Sequence, residues 1–371
     1  MGRERVAMGF WDKLFGRGNV VREQREPEKS PLEARVARLL EEGVQLASRQ
    51  SYDAAAERFN AVLVLAPDHP LALVNLAGIA QDRSHQEEQG ANRPEVIERL
   101  DREAVELFER ALAATPSLSV GVRTPVLIRL GRLHRLLGEH EKSRDTLLRV
   151  ARDAEASAQD RQTAREELTT THARLLGFPE RNPSEAEAKR YARLWQEATT
   201  PIKGLLGDDM DRPLSQAEVR RFETARPLLQ QALDLIPENW AAAWTLGMVE
   251  RRLGNEARSL ECFIRAFELN PYNPDVSREA SISAGLAGRM EDAVRFSEAA
   301  LDVDPADAGL VANLALNLLL AGRAAEALPH AKEAVARAPK DRVSQAVLAL
   351  TEQVASGALS VEQARKKALG R

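Results

Sequence analysis

One cysteine, six histidines and several adjacent carboxylates are the side chains of this 371-residue chain that have the means for nucleophilic, metal or acid–base chemistry. Their spacing argues against each. Cys262 precedes Phe263 inside an apolar helical pattern with no partner base in reach along the sequence, so a buried structural thiol is expected. His134 and His140 stand six apart around Gly138, off the i, i+4 spacing that puts two metal ligands on one helical face. Glu41-Glu42 and Asp208-Asp209 read as solvated faces or loops. The chain carries no Gly-rich phosphate loop ending in Lys and Ser or Thr, no dinucleotide fingerprint and no serine elbow. The expectation is a protein that is not an enzyme and holds no cofactor and no metal.

The elements that would position these residues follow from composition. Hydrophobic residues make up 44% of the chain and aromatics only 4%, so the core must be built from Ala, Leu and Val, which suits closely packed helices. A chain this long outgrows a single core and must divide into domains or stack as repeats. The 52 basic and 56 acidic residues are interspersed and leave a net charge of -4, which gives no long-range attraction to nucleic acid. A lone cysteine fits a reducing compartment, and the cytoplasm is the expected location. No apolar run approaches the ~18 residues of a membrane span. Met1 to Pro31 reads as a poor signal peptide, because charges interrupt it.

Self-similarity decides the fold. Pro237, Pro271, Pro305 and Pro339 recur every 34 residues, and the residues between them keep phase. Gly254, Gly288 and Gly322 share one position; Leu233, Phe267, Leu301 and Val335 share another. Small residues recur as Ala232, Ala266, Ala300 and Ala334, and again as Ala225, Ser259, Ala293 and Ala327, where two helices could approach closely. In Leu246-Gly247, Gly254, Phe263, Ala266 and Pro271 the chain resembles the tetratricopeptide repeat family. That resemblance implies an all-α, right-handed superhelical solenoid of stacked antiparallel helix pairs; pattern alone implies stacked helical pairs.

Four segments are expected: residues 1–30, an aromatic segment and polar linker; 31–155, repeats; 156–226, an irregular helical region; and 227–371, a regular array with a capping helix. In the second segment Gly43, Tyr52, Ala55, Phe59 and Pro67 form one unit, and Leu130-Gly131, Gly138 and Leu147 another. The unit between them, with Leu76-Ala77, Ala104, Phe108, Ala111, Leu112 and Pro116, carries 15 residues more than the period. That surplus falls at 84–98, where Gly90, Asn92 and Pro94 predict an exposed loop or a short extra helix. In the irregular region helices are expected near Gln159 to Leu176, Ser184 to Thr199 and Ser215 to Ile236, the last two opened by capping boxes. A bend is expected between Thr200 and Pro213, and helix parity stays open. Pro227 and Pro329 are expected near the start of second helices, where little hydrogen bonding is lost. Ser360 with Gln363 starts a polar terminal helix with a basic end.

In the family the first helix of each repeat lines a concave groove. Carried onto this chain, the resemblance places Trp244, Met248 and Arg251, then Asp275, Arg278 and Ile282, then Ala312 and Leu316 with Asn313 beside them, on that face. The groove would be apolar with two arginines and an aromatic anchor, suited to an amphipathic helix or an extended peptide carrying acidic groups. Packing between consecutive helices is the competing reading for Trp244 and Met248. Some family members clamp a carboxylate-ended chaperone tail. Asn75 and Arg129 match two clamp positions, but Leu40 and Val44 replace the first-repeat Lys and Asn, so the clamp is incomplete. The expected role is a scaffold or adaptor for protein or peptide partners. The alternatives are a peripheral membrane assembly factor and an accessory subunit of an enzyme or secretion complex.

Met8 to Gly16 sets Phe10, Trp11, Leu14 and Phe15 against Asp12 and Lys13 in a short amphipathic pattern, which would dock on a partner, contact a membrane weakly, or fold back on the first repeat. Asn19 to Lys29 is a polar linker, and Ser30-Pro31 with Glu33 starts the first repeat helix. Met1 and Met8 both remain candidate starts, and Gly2 lacks the Ser or Thr four residues on that myristoylation needs.

Overall fold

A computed structural model describes residues 30–114, 117–179, 184–206 and 212–369; the Phe10–Phe15 segment, its linker and Asp208-Asp209 lie outside them. Every regular element among the described residues is helical. The helices are α1 (Pro31–Ser48), α2 (Tyr52–Leu65), α3 (Pro70–Gln89), α4 (Pro94–Ala113), α5 (Val120–Leu136), α6 (His140–Ala151), α7 (Ala158–Leu175), α8 (Glu185–Thr199) and α9 (Gln216–Leu235). After them come α10 (Trp240–Arg252), α11 (Glu256–Leu269), α12 (Pro274–Leu286), α13 (Met290–Val303), α14 (Ala308–Leu320), α15 (Ala324–Arg337), α16 (Arg342–Ala355) and α17 (Val361–Leu369). The chain forms two compact units that divide between Glu167 and Leu168, inside α7. In unit one α1/α2, α3/α4 and α5/α6 pack as hairpins; in unit two the hairpins are α8/α9, α10/α11, α12/α13 and α14/α15, followed by α16 and α17. Each unit is a helical solenoid, and α7, the helix expected near Gln159 to Leu176, is the odd one that belongs to no hairpin above.

Three local devices repeat. The first is the proline turn. The amides of His69, Asn239, Asn273, Asp307 and Asp341 each donate to the carbonyl three residues back, which places Pro67, Pro237, Pro271, Pro305 and Pro339 at the second turn position, where a fixed φ is already correct. The residue that closes this turn then caps the next helix. Asn239 Oδ1 accepts from Ala242 N at 3.0 Å, Asp307 Oδ1 from Leu310 N at 3.0 Å and Asp341 Oδ2 from Ser344 N at 2.8 Å. The third device ends the first helices α1, α5, α10, α12 and α14. Asn255 N reaches back to the Glu250 carbonyl at 2.9 Å while Gly254 sits at φ +78, and the same closure recurs at Gly138, Gly288 and Gly322. In α1 the equivalent residue is Gln50, at φ +59.

Close approach of the paired helices is set by size matching. A Cβ added to Gly43 would fall 2.5 Å from the Phe59 ring, one on Gly131 2.6 Å from Leu147, and one on Gly247 2.9 Å from Phe263. Phe59, Leu147 and Phe263 are fully buried, so the ring or branched chain occupies the volume that the missing side chain leaves. Sixteen residues separate the members of each pair. Further along, the same spacing holds Ser281 with Ser297 and Ala315 with Ala331, all fully buried. There Asn313 and Asn317 fill the gap by donating to Ser297 Oγ at 3.2 and 2.7 Å.

Two expectations need correction. The surplus at 84–98 forms neither a loop nor an extra helix: α3 and α4 simply continue, to 20 residues each against 13 and 14 in the α10/α11 hairpin. Leu100, Asp101 and Ala104 give α4 a buried side in this region, and Gly90 and Asn92 are gathered into the tight connection, where Arg93 grips Glu87 at 2.7 and 2.8 Å. The two interior prolines are also deeper than expected. Pro227 is the twelfth residue of α9 and Pro329 the sixth of α15, so each removes one intrahelical bond. Both lie on exposed faces, where the freed carbonyls of Glu223 and Ala325 meet water. All four capping boxes form: Glu33, Glu187, Glu218 and Gln363 amides donate to Ser30, Ser184, Ser215 and Ser360.

Two substitutions test these constraints by urea unfolding. Gly247→Ala should destabilise by about 1–3 kcal/mol, the usual cost of overpacking a filled core, because Phe263 has no free space to retreat into. Gln50→Gly should stabilise by up to about 1 kcal/mol by relieving a left-handed conformation that a Cβ disfavours.

Candidate functional site: the first-helix face of unit two

The residues assigned to the groove come from α10, α12 and α14, whose first turns are fixed by the caps at Asn239, Asn273 and Asp307. Their environments differ sharply. Met248 is 5% exposed, in a cluster with Phe263, Ala280 and Phe296. Trp244 is half-buried against Leu233, Val276 and Phe267, with its indole N–H enclosed. Ala312 is buried. These three side chains pack the stack together.

Arg251 and Asn313 connect successive first helices. Arg251 Nη1 donates to Glu279 Oε2 at 2.5 Å, its Nη2 donates to Ser283 Oγ at 2.8 Å and to the Glu279 carbonyl at 3.2 Å, and the guanidinium lies 4.7 Å from the centre of the Phe263 ring. With both side chains about 15% exposed or less, this is a nearly buried ion pair that joins α10 to α12. Asn313 Nδ2 donates to Ser281 Oγ at 2.8 Å and joins α14 to α12. Of the two arginines expected to face a ligand, one is committed to the scaffold.

What faces outward is narrower. Arg278 is 44% exposed and pairs with Asp275 at 2.7 Å, a surface pair screened by solvent. Ile282 follows it by four residues, on the same side of α12, and is 36% exposed. The Asn313–Ser281 bond sets the 313–316 turn of α14 beside that stretch, and Leu316 is half-buried there. One residue of this face was missed. Val343, 64% exposed at the start of α16, lies 68 residues after Asp275 in the same register. The period carried that signal, but the terminal stretch was read only as a cap.

The chemically capable residues have structural surroundings. Cys262 is buried, and burial pushes its thiol up to about 11, which leaves it protonated near neutrality. His134 is buried, and its Nδ1 lies 2.8 Å from Glu139 Oε2 across the helix end, holding that carboxyl below its usual range. Asn255 and Glu250 make the equivalent bond in α10/α11 at 2.8 Å. No group of three His, Cys, Asp or Glu among the described residues is placed to hold a metal. No helix among them is long and apolar enough to cross a membrane. At the incomplete clamp, Asn75 is buried and donates to the Leu71 carbonyl at 2.7 Å, while Arg129 donates to Gln81 Oε1 at 3.0 Å.

Replacing Arg251 separates scaffold from ligand chemistry. Arg251→Ala should lower stability by about 3 kcal/mol, because Glu279 is left nearly buried without its partner, whereas Arg251→Met with Glu279→Met should recover most of the loss in urea unfolding.

Residues 214–274 match a family model for the tetratricopeptide repeat. No curated protein matches the chain. Two solved structures titled MamA AMB-1 and MamA MSR-1 are similar to it at 20% and 19% identity, over 61% and 58% of this chain and 98% and 97% of theirs, with TM-scores of 0.31 and 0.29. A third, titled as a crystal structure of MamA protein, is 12% identical over 73% of this chain and 92% of its own, with a TM-score of 0.23. The family-model match falls on α9 to α11, where the size-matched glycine, the left-handed helix end and the proline turn all recur in register, and this segment of the chain is a tetratricopeptide repeat.

Proposed function

We propose that the chain is a scaffold or adaptor that binds a partner protein or peptide on the first-helix face of unit two, along Arg278, Ile282, Leu316 and Val343. Repeats of this family generally mediate protein–protein interaction, which supports the class of function. The observation that carries the site is the exposure of two large aliphatic side chains, Ile282 on α12 and Val343 in the first turn of α16. Large apolar side chains left in water on rigid helices mark a contact surface for a partner's apolar residues. Arg278 at the edge adds a donor for an acidic group, and its exposed pair with Asp275 is cheap to exchange.

The ligand that fits is an amphipathic segment whose apolar side chains recur at helical or extended spacing and whose flank carries a carboxylate. Trp244, Met248, Arg251 and Asn313 contribute by holding that face flat and rigid, which keeps the ordering cost of binding low.

A library of displayed sixteen-residue peptides, selected on the purified chain and re-measured by calorimetry, checks the assignment. Ile282→Glu with Val343→Glu should weaken selected peptides at least tenfold, equivalent to about 1.4 kcal/mol, with unfolding midpoints unchanged because both residues are exposed. Equal affinity for the variant and the parent chain would move the site elsewhere.

A further inference from the structure

Unit one has a cleft that no side chain of the described residues fills. It lies between the α2–α3 turn and the start of α5, encloses about 540 Å³, and has walls formed chiefly by Pro67, Pro70, Leu71, Leu118 and Val122. Asp68, which is exposed, and His69, whose imidazole has its affinity for a proton lowered by burial, stand in the same lining. A cleft of this volume falls in the range, roughly 300–1,000 Å³, that accepts a group of apolar rings.

Topology places the start of the described chain at the same end of the unit. Helices α1 and α2 are antiparallel neighbours, so residue 30 sits at the end where α2 finishes; the Pro67 turn follows there, and α4 returns to that end before α5 begins. Because α1 also packs directly on α3, whose first turn is a wall of the cleft, the path to be covered is on the order of two interaxial spacings, ~20 Å. Between Gly16 and Ser30 the chain is long enough for a span of up to ~45 Å. The tether exceeds the distance by a wide margin and makes the encounter intramolecular, at an effective concentration on the order of millimolar. What the tether carries is Phe10, Trp11, Leu14 and Phe15, three aromatic rings and a leucine within six residues, in a chain where aromatics are only 4% of the composition.

We propose that the Phe10–Phe15 segment docks in this cleft of its own chain, inserting aromatic side chains between the α2–α3 turn and the first turn of α5. Docking buries apolar surface on both sides, the dominant favourable contribution in such contacts. It occupies unit one and leaves the α12–α16 face of unit two unaffected, so the proposal stands independently of the partner site.

The test uses the full chain with p-benzoylphenylalanine in place of Trp11 and mass spectrometric mapping after irradiation. Crosslinks should form within single chains, onto peptides containing residues 66–71 or 117–122. Phe10→Asp with Phe15→Asp, which leaves the described helices untouched, should lower that yield at least tenfold. Crosslinks confined to other parts of the chain or to a second chain would overturn the proposal. So would crosslinks that appear only on lipid once phosphatidylglycerol vesicles are added, because they would assign the segment to a membrane surface.

Discussion

The fold depends on how closely the two helices of a repeat can approach, and that distance is fixed where one residue gives up its side chain to another. At Gly43, Gly131 and Gly247 a hydrogen faces Phe59, Leu147 and Phe263, and the large side chain fills a space that any Cβ would obstruct. Interior packing tolerates neither a void nor an overlap, so the pair acts as a unit. Where the large member is lost, as at Ser297 and Ala331, the small member grows to Ser281 or Ala315, and beside Ser297 asparagine amides take up the remaining room. The same spacing is therefore met with four different pairs, Gly with Phe, Gly with Leu, Ser with Ser and Ala with Ala.

Much of this was legible because period and turn chemistry are local properties. The proline turns, the left-handed helix ends and the four serine capping boxes need only a few consecutive residues, and their 34-residue recurrence multiplied a weak signal into a firm one. Asn239, Asn273, Asp307 and Asp341 recur at the same interval as helix caps and were open to the same reading. The α3/α4 extension was misjudged because Gly90 and Asn92 signal a break without saying how far the helices on either side run. That depended on the burial of Leu100 and Asp101 against a neighbour, which is tertiary.

The groove was legible as a register and not as chemistry. Position within the repeat says which way a residue points but not what already holds it. Arg251 reads as a free cation until Glu279 and Phe263 are seen to occupy it, and Trp244 reads as an anchor until its contacts with Leu233 and Phe267 are seen. Once these are assigned to the scaffold, the proposed site is left with a narrower set, one arginine and exposed aliphatic side chains. On that proposal, partners are selected by shape and apolar spacing more than by charge.

Helix α7 departs from the local logic of the repeats. In unit two its C-terminal half is held by Thr169 Oγ1 donating to Asn270 Oδ1 at 3.0 Å, by His172 Nε2 donating to the Glu268 carbonyl at 2.9 Å, and by the edge of His172 against Tyr272. The Thr169–Asn270 contact closes a loop of 101 residues, whereas the matched pairs of α1/α2, α5/α6, α10/α11, α12/α13 and α14/α15 lie sixteen apart. Chain statistics put the entropy of the longer closure at about 4 kcal/mol and of the shorter at about 2.5 kcal/mol. The hairpins can therefore form independently and early, while the C-terminal half of α7 must wait for α11; its N-terminal half is held in unit one, where Arg132 Nε donates to Glu167 Oε1 at 2.8 Å. In the order of assembly the contact between α7 and α11 is a latecomer.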